Sequence, residues 1–270
     1  MMRAAAVVIT RPRAQAEALA PRIAALGLRP VVFPLLEIQP LDDNAALQAT
    51  LHNLPSYAMV MFVSPNAIDA AFRHIDRWPA AVAIGIVGAG SMAALARHGL
   101  DASNTHIIAP ASAEKTDSEG LFAALDQNQF KSQLPGRRVL IVRGQAGRDF
   151  FSEALQQIGV QVEHVSAYRR EAPACDSVVV AQLRELLDID SVWIITSSEA
   201  LGNLMQMLAQ ISLQTNVQAT LTDAVAKMRQ KKIIVPHPRI AAAARLAGFS
   251  HVSLTGSGDE RLLAALQSET

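Results

Sequence analysis

Short, continuous apolar segments alternate along this chain with segments in which apolar residues recur every three or four positions. Residues 4–9 form an uninterrupted apolar run, which is typical of a strand covered on both faces. After it, Ala16, Leu19 and Ile23 recur at helical spacing until Gly27 ends the pattern. The same succession continues along the chain and predicts an α/β fold with parallel sheets flanked by helices.

The two patterns predict the elements in chain order. The apolar runs predict strands at 4–9, 29–33, 57–63, 81–87, 106–109, 139–142, 160–168, 191–195, 232–235 and 252–254. The periodic segments predict helices at 16–26, 47–54, 65–72, 92–98, 118–125, 147–158, 178–187, 198–208, 221–228, 239–246 and 259–266.

The length and two interruptions predict two domains. A chain of 270 residues exceeds the usual size of one domain. The strand at 29–33 is broken by Pro34 and continues at 35–38, so we expect it to leave its sheet there. The strand at 160–168 runs on into the polar residues 169–171. We therefore expect the chain to cross between domains near these two points.

Composition excludes several classes of function. The chain has 24 Lys and Arg against 24 Asp and Glu, so no overall positive field attracts nucleic acid or an anionic membrane. Its single cysteine, Cys175, excludes an internal disulfide and a multi-thiolate metal site. The apolar run near the start is too short for a signal peptide, and none approaches the roughly 20 residues of a membrane span. We expect a soluble cytoplasmic protein.

Hydroxyl-bearing residues lie just beyond several predicted strands, at Ser64, Ser91 and Ser197. In a parallel sheet these junctions lie at the carboxyl edge, where ligands bind. A serine in such a place is also a common helix cap, worth about 1 kcal/mol. The sequence leaves open whether these side chains bind a ligand or cap a helix.

The segment 137–171 predicts a strand, a turn, a helix and a second strand. Arg143 and Gly144 close the first strand, and Arg148 lies where the helix begins. A cation at a helix start beyond a strand can hold an anion, although either arginine could equally form a structural ion pair. Tyr168, one of two tyrosines, ends the second strand. Its ring could pack on a neighbouring face, or its phenol could donate a proton in a cleft.

Signatures of several other sites are missing or incomplete. Residues 88–93 fit the loose G-x-G-x-x-G/A pattern, but the strand at 106–109 is followed by Pro110 and not by an acid that binds a ribose. The sequence contains no phosphate-binding G-x-x-x-x-G-K-[ST] loop and no G-x-S-x-G elbow, and its seven histidines lack the paired spacing of a metal site. His237 lies between two prolines, where a loop role and a ligand contact both remain open.

A succession of short motifs resembles one family, the uroporphyrinogen-III synthases, over nearly the whole chain. Each motif is weak alone, but their order is specific. The motifs are Val8-Ile9-Thr10-Arg11-Pro12, Phe33-Pro34-Leu35-Leu36-Glu37-Ile38, Val63-Ser64-Pro65-Asn66-Ala67, Val87-Gly88, Arg143-Gly144 with Gly147-Arg148, residues 165–169, Ile195-Thr196-Ser197 and Arg239-Ile240-Ala241.

The resemblance implies two flavodoxin-like lobes, each a parallel sheet flanked by helices. The first lobe is expected at 1–34 and 172–270, the inserted lobe at 39–165, and two linker strands at 35–38 and 166–171. The implied activity is cyclisation of hydroxymethylbilane, a linear tetrapyrrole, to uroporphyrinogen III with inversion of ring D through a spiro intermediate and loss of water. The resemblance implies no cofactor and no metal, and we expect a monomer that could receive its substrate from the bilane-producing enzyme.

The resemblance also implies which residues act. A tyrosine at the position of Tyr168 is the expected proton donor. Ser64, Ser91 and Ser197 fall on positions that line the family's cleft, and Arg11, Arg143 and Arg148 are candidate cations for the substrate's carboxylates. The remaining expected substrate-binding residues are Thr10, Gly88, Gly144, Thr196 and His237, the last standing where the family often has threonine. Two alternatives are a non-catalytic binding protein for a small polyanion and a nucleotide-dependent regulator.

Overall fold

The computed structural model describes residues 6–111, 118–145, 150–214 and 218–268. The strands of this part are β1 (Ala6–Ile9), β2 (Arg29–Val32), β3 (Glu37–Gln39), β4 (Met59–Phe62), β5 (Ala83–Ile86), β6 (Ile107–Ile108), β7 (Arg138–Gly144), β8 (Gln161–Glu171), β9 (Ser191–Ile194), β10 (Lys232–Val235) and β11 (His251–Leu254). The helices are α1 (Arg13–Ala24), α2 (Ala45–His52), α3 (Pro65–Ala71), α4 (Ala89–Arg97), α5 (Ser118–Gln127), α6 (Phe150–Gln157), α7 (Ser177–Asp188), α8 (Ser198–Gln214), α9 (Gln218–Arg229), α10 (Pro238–Leu246) and α11 (Asp259–Ser268).

The chain forms two compact units and changes unit between Glu37 and Ile38 and again between Arg170 and Glu171. The first unit contains a sheet in the order β11-β10-β9-β1-β2, whose described pairs are all parallel. This is the strand order of flavodoxin-like sheets. One face packs against α7 to α10 and the other against α1 and α11. The predicted α/β architecture is confirmed.

The second unit contains a six-stranded sheet in the order β3-β8-β7-β4-β5-β6. Neighbouring strands in the series β8-β7-β4-β5-β6 pair in parallel, and β3 lies at the edge of the sheet beside β8. Helices α2, α3 and α4 cover one face, while α5 and α6 cover the other. Strands β4 and β5 are completely buried, as expected for strands that helices cover on both sides.

Each sheet has one point at which the strand order reverses. In the first unit this switch point lies between β1 and β9, and in the second unit it lies between β4 and β7. The connections on either side run to opposite faces, which opens a crevice beyond the carboxyl ends of the two strands. These two crevices are therefore the places where each unit's topology favours a ligand.

Several predicted boundaries were wrong by a few residues. Helix α4 begins at Ala89 and not at residue 92, because extended Gly88 (φ −176°) serves as its N-cap and Ser91 lies in its first turn. Helix α8 continues past residue 208 to Gln214, and β8 extends through Glu171. The predicted helix start at 147–149 lies outside the described residues, and α6 is described from Phe150.

Candidate active site

Two hydroxyl groups meet at the switch point of the second unit. The Ser64 Oγ and Tyr168 Oη atoms lie 3.0 Å apart, within hydrogen-bond distance. Ser64 follows β4, and Tyr168 lies on β8 beside the end of β7. The residues are 104 positions apart in the chain, so the parallel pairing of β4, β7 and β8 brings them together.

Ser64 is held in place by the start of α3. Its side chain accepts a hydrogen bond from the Ala67 N–H at 3.2 Å, and Pro65 occupies the first helical position. This is the ordinary geometry of a serine N-cap, with extended backbone at φ −163° and ψ 161°. Ser64 therefore caps a helix and also contacts the phenol, while its contact with a ligand stays a prediction.

A bulge in β8 places the Tyr168 ring beside Gly144. Arg143 pairs with Ser166, but Gly144 pairs with Tyr168, so Ala167 is an extra residue on β8. The Tyr168 side chain is 4% exposed and belongs to the apolar cluster under α2 to α4. Its carbonyl accepts a hydrogen bond from the Gln145 N–H at 3.1 Å, which fixes the backbone next to the ring.

Three other predicted residues of the second unit, Gly88, Ser91 and Arg143, lie at or near the carboxyl ends of β5 and β7. Gly88 caps α4, and its carbonyl accepts a hydrogen bond from the Ser91 N–H at 3.0 Å. Ser91 is buried in the first turn of this helix, which begins three residues earlier than predicted. Arg143 is half-buried near the end of β7. Arg148 lies outside the described residues.

In the first unit, Thr10 and Arg11 follow β1 at the switch point, but both side chains have partners within the protein. The buried Thr10 hydroxyl donates to the Ile194 carbonyl at 2.6 Å and so joins β1 to β9. The Arg11 guanidinium lies 2.6 Å from the Asp259 carboxylate at the start of α11. No feature of the sequence indicates either partner.

The remaining candidates also act as caps or lie beside them. Ser197 Oγ accepts a hydrogen bond from the Ala200 N–H at 3.0 Å, and half-buried Thr196 precedes it. The His237 Nδ1 atom accepts from the Arg239 N–H at 3.1 Å and caps α10. Thr196 and Ser197 follow β9 at the first unit's switch point, whereas His237 follows β10.

Among the described residues, no group of three or more His, Cys, Asp and Glu side chains could hold a metal ion. No helix in this part of the chain is long and apolar enough to cross a membrane. At the carboxyl edges the described candidate residues offer hydroxyls, backbone N–H groups, guanidinium groups and the His237 imidazole.

Residues 17–255 match the model of one protein family, described as uroporphyrinogen-III synthase HemD. The chain belongs to this family. Curated uroporphyrinogen-III synthases resemble it along most of their length. The chain is 28% identical over 266 residues to the protein of Salmonella typhimurium, which covers 97% of this chain and 99% of that one. It is 24% identical over 245 residues to the protein of Chlorobaculum parvum, with 85% and 92% covered.

A solved structure supports the fold. A mutant uroporphyrinogen III synthase from Thermus thermophilus matches 98% of this chain and 99% of its own, with a TM-score of 0.53 and 16% sequence identity. The predicted resemblance to the uroporphyrinogen-III synthase family is confirmed by the family model and by the curated relatives.

Proposed function

We propose that this protein converts hydroxymethylbilane to uroporphyrinogen III, inverting ring D through a spiro intermediate and releasing water. Family membership over residues 17–255 supports the reaction. The observation that carries the assignment to this site is the 3.0 Å contact between the Tyr168 and Ser64 hydroxyls at a topological switch point.

The substrate is intrinsically reactive, so the protein has little covalent chemistry to perform. The hydroxyl of hydroxymethylbilane takes a proton and leaves as water, which produces an electrophilic azafulvene. The substituted carbon of ring D attacks the exocyclic methylene carbon of the azafulvene to give a spiro pyrrolenine. The bond from this ring D carbon to its original bridging methylene then breaks, the unsubstituted α-carbon of ring D attacks the released methylene, and loss of one proton from that carbon yields the product. The protein's main contribution is to fold the linear chain so that ring D attacks in the inverted sense.

Tyr168 is the proton donor in this proposal. Its phenol is hydrogen-bonded to Ser64, and Ser64 in turn is fixed by the Ala67 N–H. A neutral phenol is a suitable general acid for a hydroxyl that leaves readily, because only partial proton transfer is needed. The proton released when ring D becomes aromatic restores the phenol, so no cofactor is required.

The substrate's carboxylates need local binding sites because the chain has no net charge. Backbone N–H groups and the guanidinium groups of Arg11, Arg143 and Arg148 are proposed to supply them, together with Gly88, Ser91, Thr196, Ser197 and His237. We further propose that 35–38 and 166–171 are linkers between the units, and that the protein is a cytoplasmic monomer that could receive its substrate from the bilane-producing enzyme.

The test uses the purified protein coupled to a bilane-producing enzyme, with the product isomers separated by chromatography. Wild-type protein is expected to give the III isomer, and Tyr168→Phe is expected to lose at least about 100-fold in kcat with its fold intact. Near-normal turnover by Tyr168→Phe would exclude the phenol as the proton donor but would not contradict the proposed overall reaction.

A further inference from the structure

We propose that Gly144 is a positioning residue that keeps the Tyr168 phenol against Ser64 by leaving no side chain in the space that the ring occupies. This inference rests on the proposed function. It gives Gly144 a role different from the substrate contact expected from the sequence, because the residue acts through Tyr168 and not on the substrate.

The space beside Gly144 is filled by the tyrosine ring. A Cβ atom at Gly144 would lie 3.1 Å from both Cε2 and Cζ of Tyr168 and 3.4 Å from its hydroxyl oxygen. Contacts of 3.1 Å between carbon atoms are well inside the optimal separation of about 3.5–4.0 Å. An alanine here must therefore displace the ring by a few tenths of an ångström.

The ring has little freedom to adapt elsewhere. Tyr168 is buried in an apolar cluster with Val142 and Val165, and its carbonyl is bonded to the Gln145 N–H. The bulge at Ala167 sets the register that places the ring over Gly144. Displacing the ring consequently moves its hydroxyl relative to Ser64. The hydrogen bond to Ser64 is the only polar contact of that hydroxyl among the residues that the structure describes.

Backbone conformation does not explain the glycine. Gly144 lies in β7 and has no positive φ, unlike Gly136 and Gly159 at the nearby turns. An L-residue can adopt this extended conformation without strain. The lack of a Cβ atom is therefore the important feature of Gly144, because the Tyr168 ring occupies the space that a Cβ atom would need.

The test compares Gly144→Ala with Gly85→Ala, a matched control in β5 of the same sheet. A Cβ at Gly85 would meet Leu121 at 3.3 Å and Met59 at 3.4 Å, so it crowds core side chains that lie away from Tyr168. We expect Gly144→Ala to lower kcat about 10-fold with KM little changed and to raise the share of the I isomer. Gly85→Ala is expected to keep the wild-type kcat and isomer ratio.

The position of the ring can be read independently of activity. The chain has only two tyrosines, Tyr57 and Tyr168, so protein labelled with 3-fluorotyrosine gives two ¹⁹F resonances that Tyr57→Phe assigns. Gly144→Ala is expected to shift the Tyr168 resonance and to leave that of Tyr57 in place. If Gly144→Ala leaves both ¹⁹F resonances in place and has the wild-type kcat, the proposal is overturned.

A double variant separates positioning from substrate binding. If Gly144 acts through the phenol, Gly144→Ala adds little loss of kcat in a Tyr168→Phe background; multiplied losses would show an independent contact and overturn the inference. If Gly144→Ala does not fold, a clash with the tyrosine ring predicts that Gly144→Ala does fold in a Tyr168→Leu background, which lacks the ring. Failure to fold in both backgrounds would contradict the proposed clash. A wild-type protein that makes no III isomer would instead refute the proposed function, and the ¹⁹F shift would still test the packing.

Discussion

Ser64→Ala is expected to destabilise the second unit by about 2 kcal/mol, and half of that loss should depend on Tyr168. Ser64 Oγ makes two hydrogen bonds, one from the Ala67 N–H and one with the Tyr168 hydroxyl. Loss of a serine cap costs about 1 kcal/mol. Loss of a partly buried side-chain hydrogen bond costs about a further 1 kcal/mol.

Tyr168→Phe keeps the ring in its apolar cluster and removes only the second bond, so it is expected to cost about 1 kcal/mol. The shared bond can be lost once only. The double variant should therefore cost about 2 kcal/mol and not the sum of about 3 kcal/mol, which gives a coupling energy of about 1 kcal/mol.

The assay is urea unfolding followed by the fluorescence of Trp78, which lies in the second unit, in a Trp193→Phe background that silences the tryptophan of the first unit. Asp43→Ala is the matched control. The Asp43 carboxylate accepts the Ala45 N–H at 2.8 Å just before α2, so its removal costs one local side-chain-to-backbone hydrogen bond without affecting the phenol. Additive losses for Ser64→Ala and Tyr168→Phe, or a cost for Ser64→Ala no larger than that of Asp43→Ala, would show that the Ser64–Tyr168 hydrogen bond adds no stability.

Three further measurements follow from the described contacts. Burial, reinforced by a hydrogen bond to Glu163, raises the pKa of Tyr57 to about 12. In Tyr168→Phe the single remaining phenol should therefore titrate near pH 12 when followed by ultraviolet absorbance, and a midpoint near pH 10 would contradict this environment. Because the pKa of Tyr57 is higher in the folded than in the unfolded protein, its contribution to the free energy of unfolding should be complete below pH 10 and lost between about pH 10 and 12. Tyr57→Phe should flatten the dependence of the free energy of unfolding on pH in this range, and an unchanged slope would exclude Tyr57 as its source. Thr10→Val should cost the first unit about 1 kcal/mol in urea unfolding because the bond to the Ile194 carbonyl is lost, whereas an unchanged midpoint would mean that this buried bond adds nothing.

The fold could be predicted from the sequence because local and long-range preferences agree. The strand at Lys232–Val235 has the predicted bounds, since its apolar run is enclosed by polar residues and Pro236. Errors occur where the local signal is weak. The start of α4 is Ala-Gly-Ser, and glycine is a poor helix former, yet the Gly88 cap starts the helix there. Helix α8 passes residue 208 because Ile211 is still buried in the core.

The sequence indicates which polar residues lie at the strand ends but not which contacts they make. Hydroxyls after strands are visible in the sequence, and they do gather at the carboxyl edges of the sheets. Which way each side chain points depends on register and packing. The Thr10 hydroxyl faces a main-chain carbonyl, Arg11 faces Asp259, and the bulge at Ala167 turns Tyr168 towards Ser64. A bulge has no sequence signal in this strand, so the Tyr168–Gly144 contact required the structure.

Hydroxymethylbilane that cyclises unaided gives the I isomer, so formation of the III isomer reports directly on this chain. The decisive measurement is the isomer composition of the product formed when purified protein is present as a bilane-producing enzyme turns over. We expect uroporphyrinogen III to predominate and its share to fall in Tyr168→Phe. A product that remains the I isomer at every concentration of the wild-type protein would contradict the proposed function.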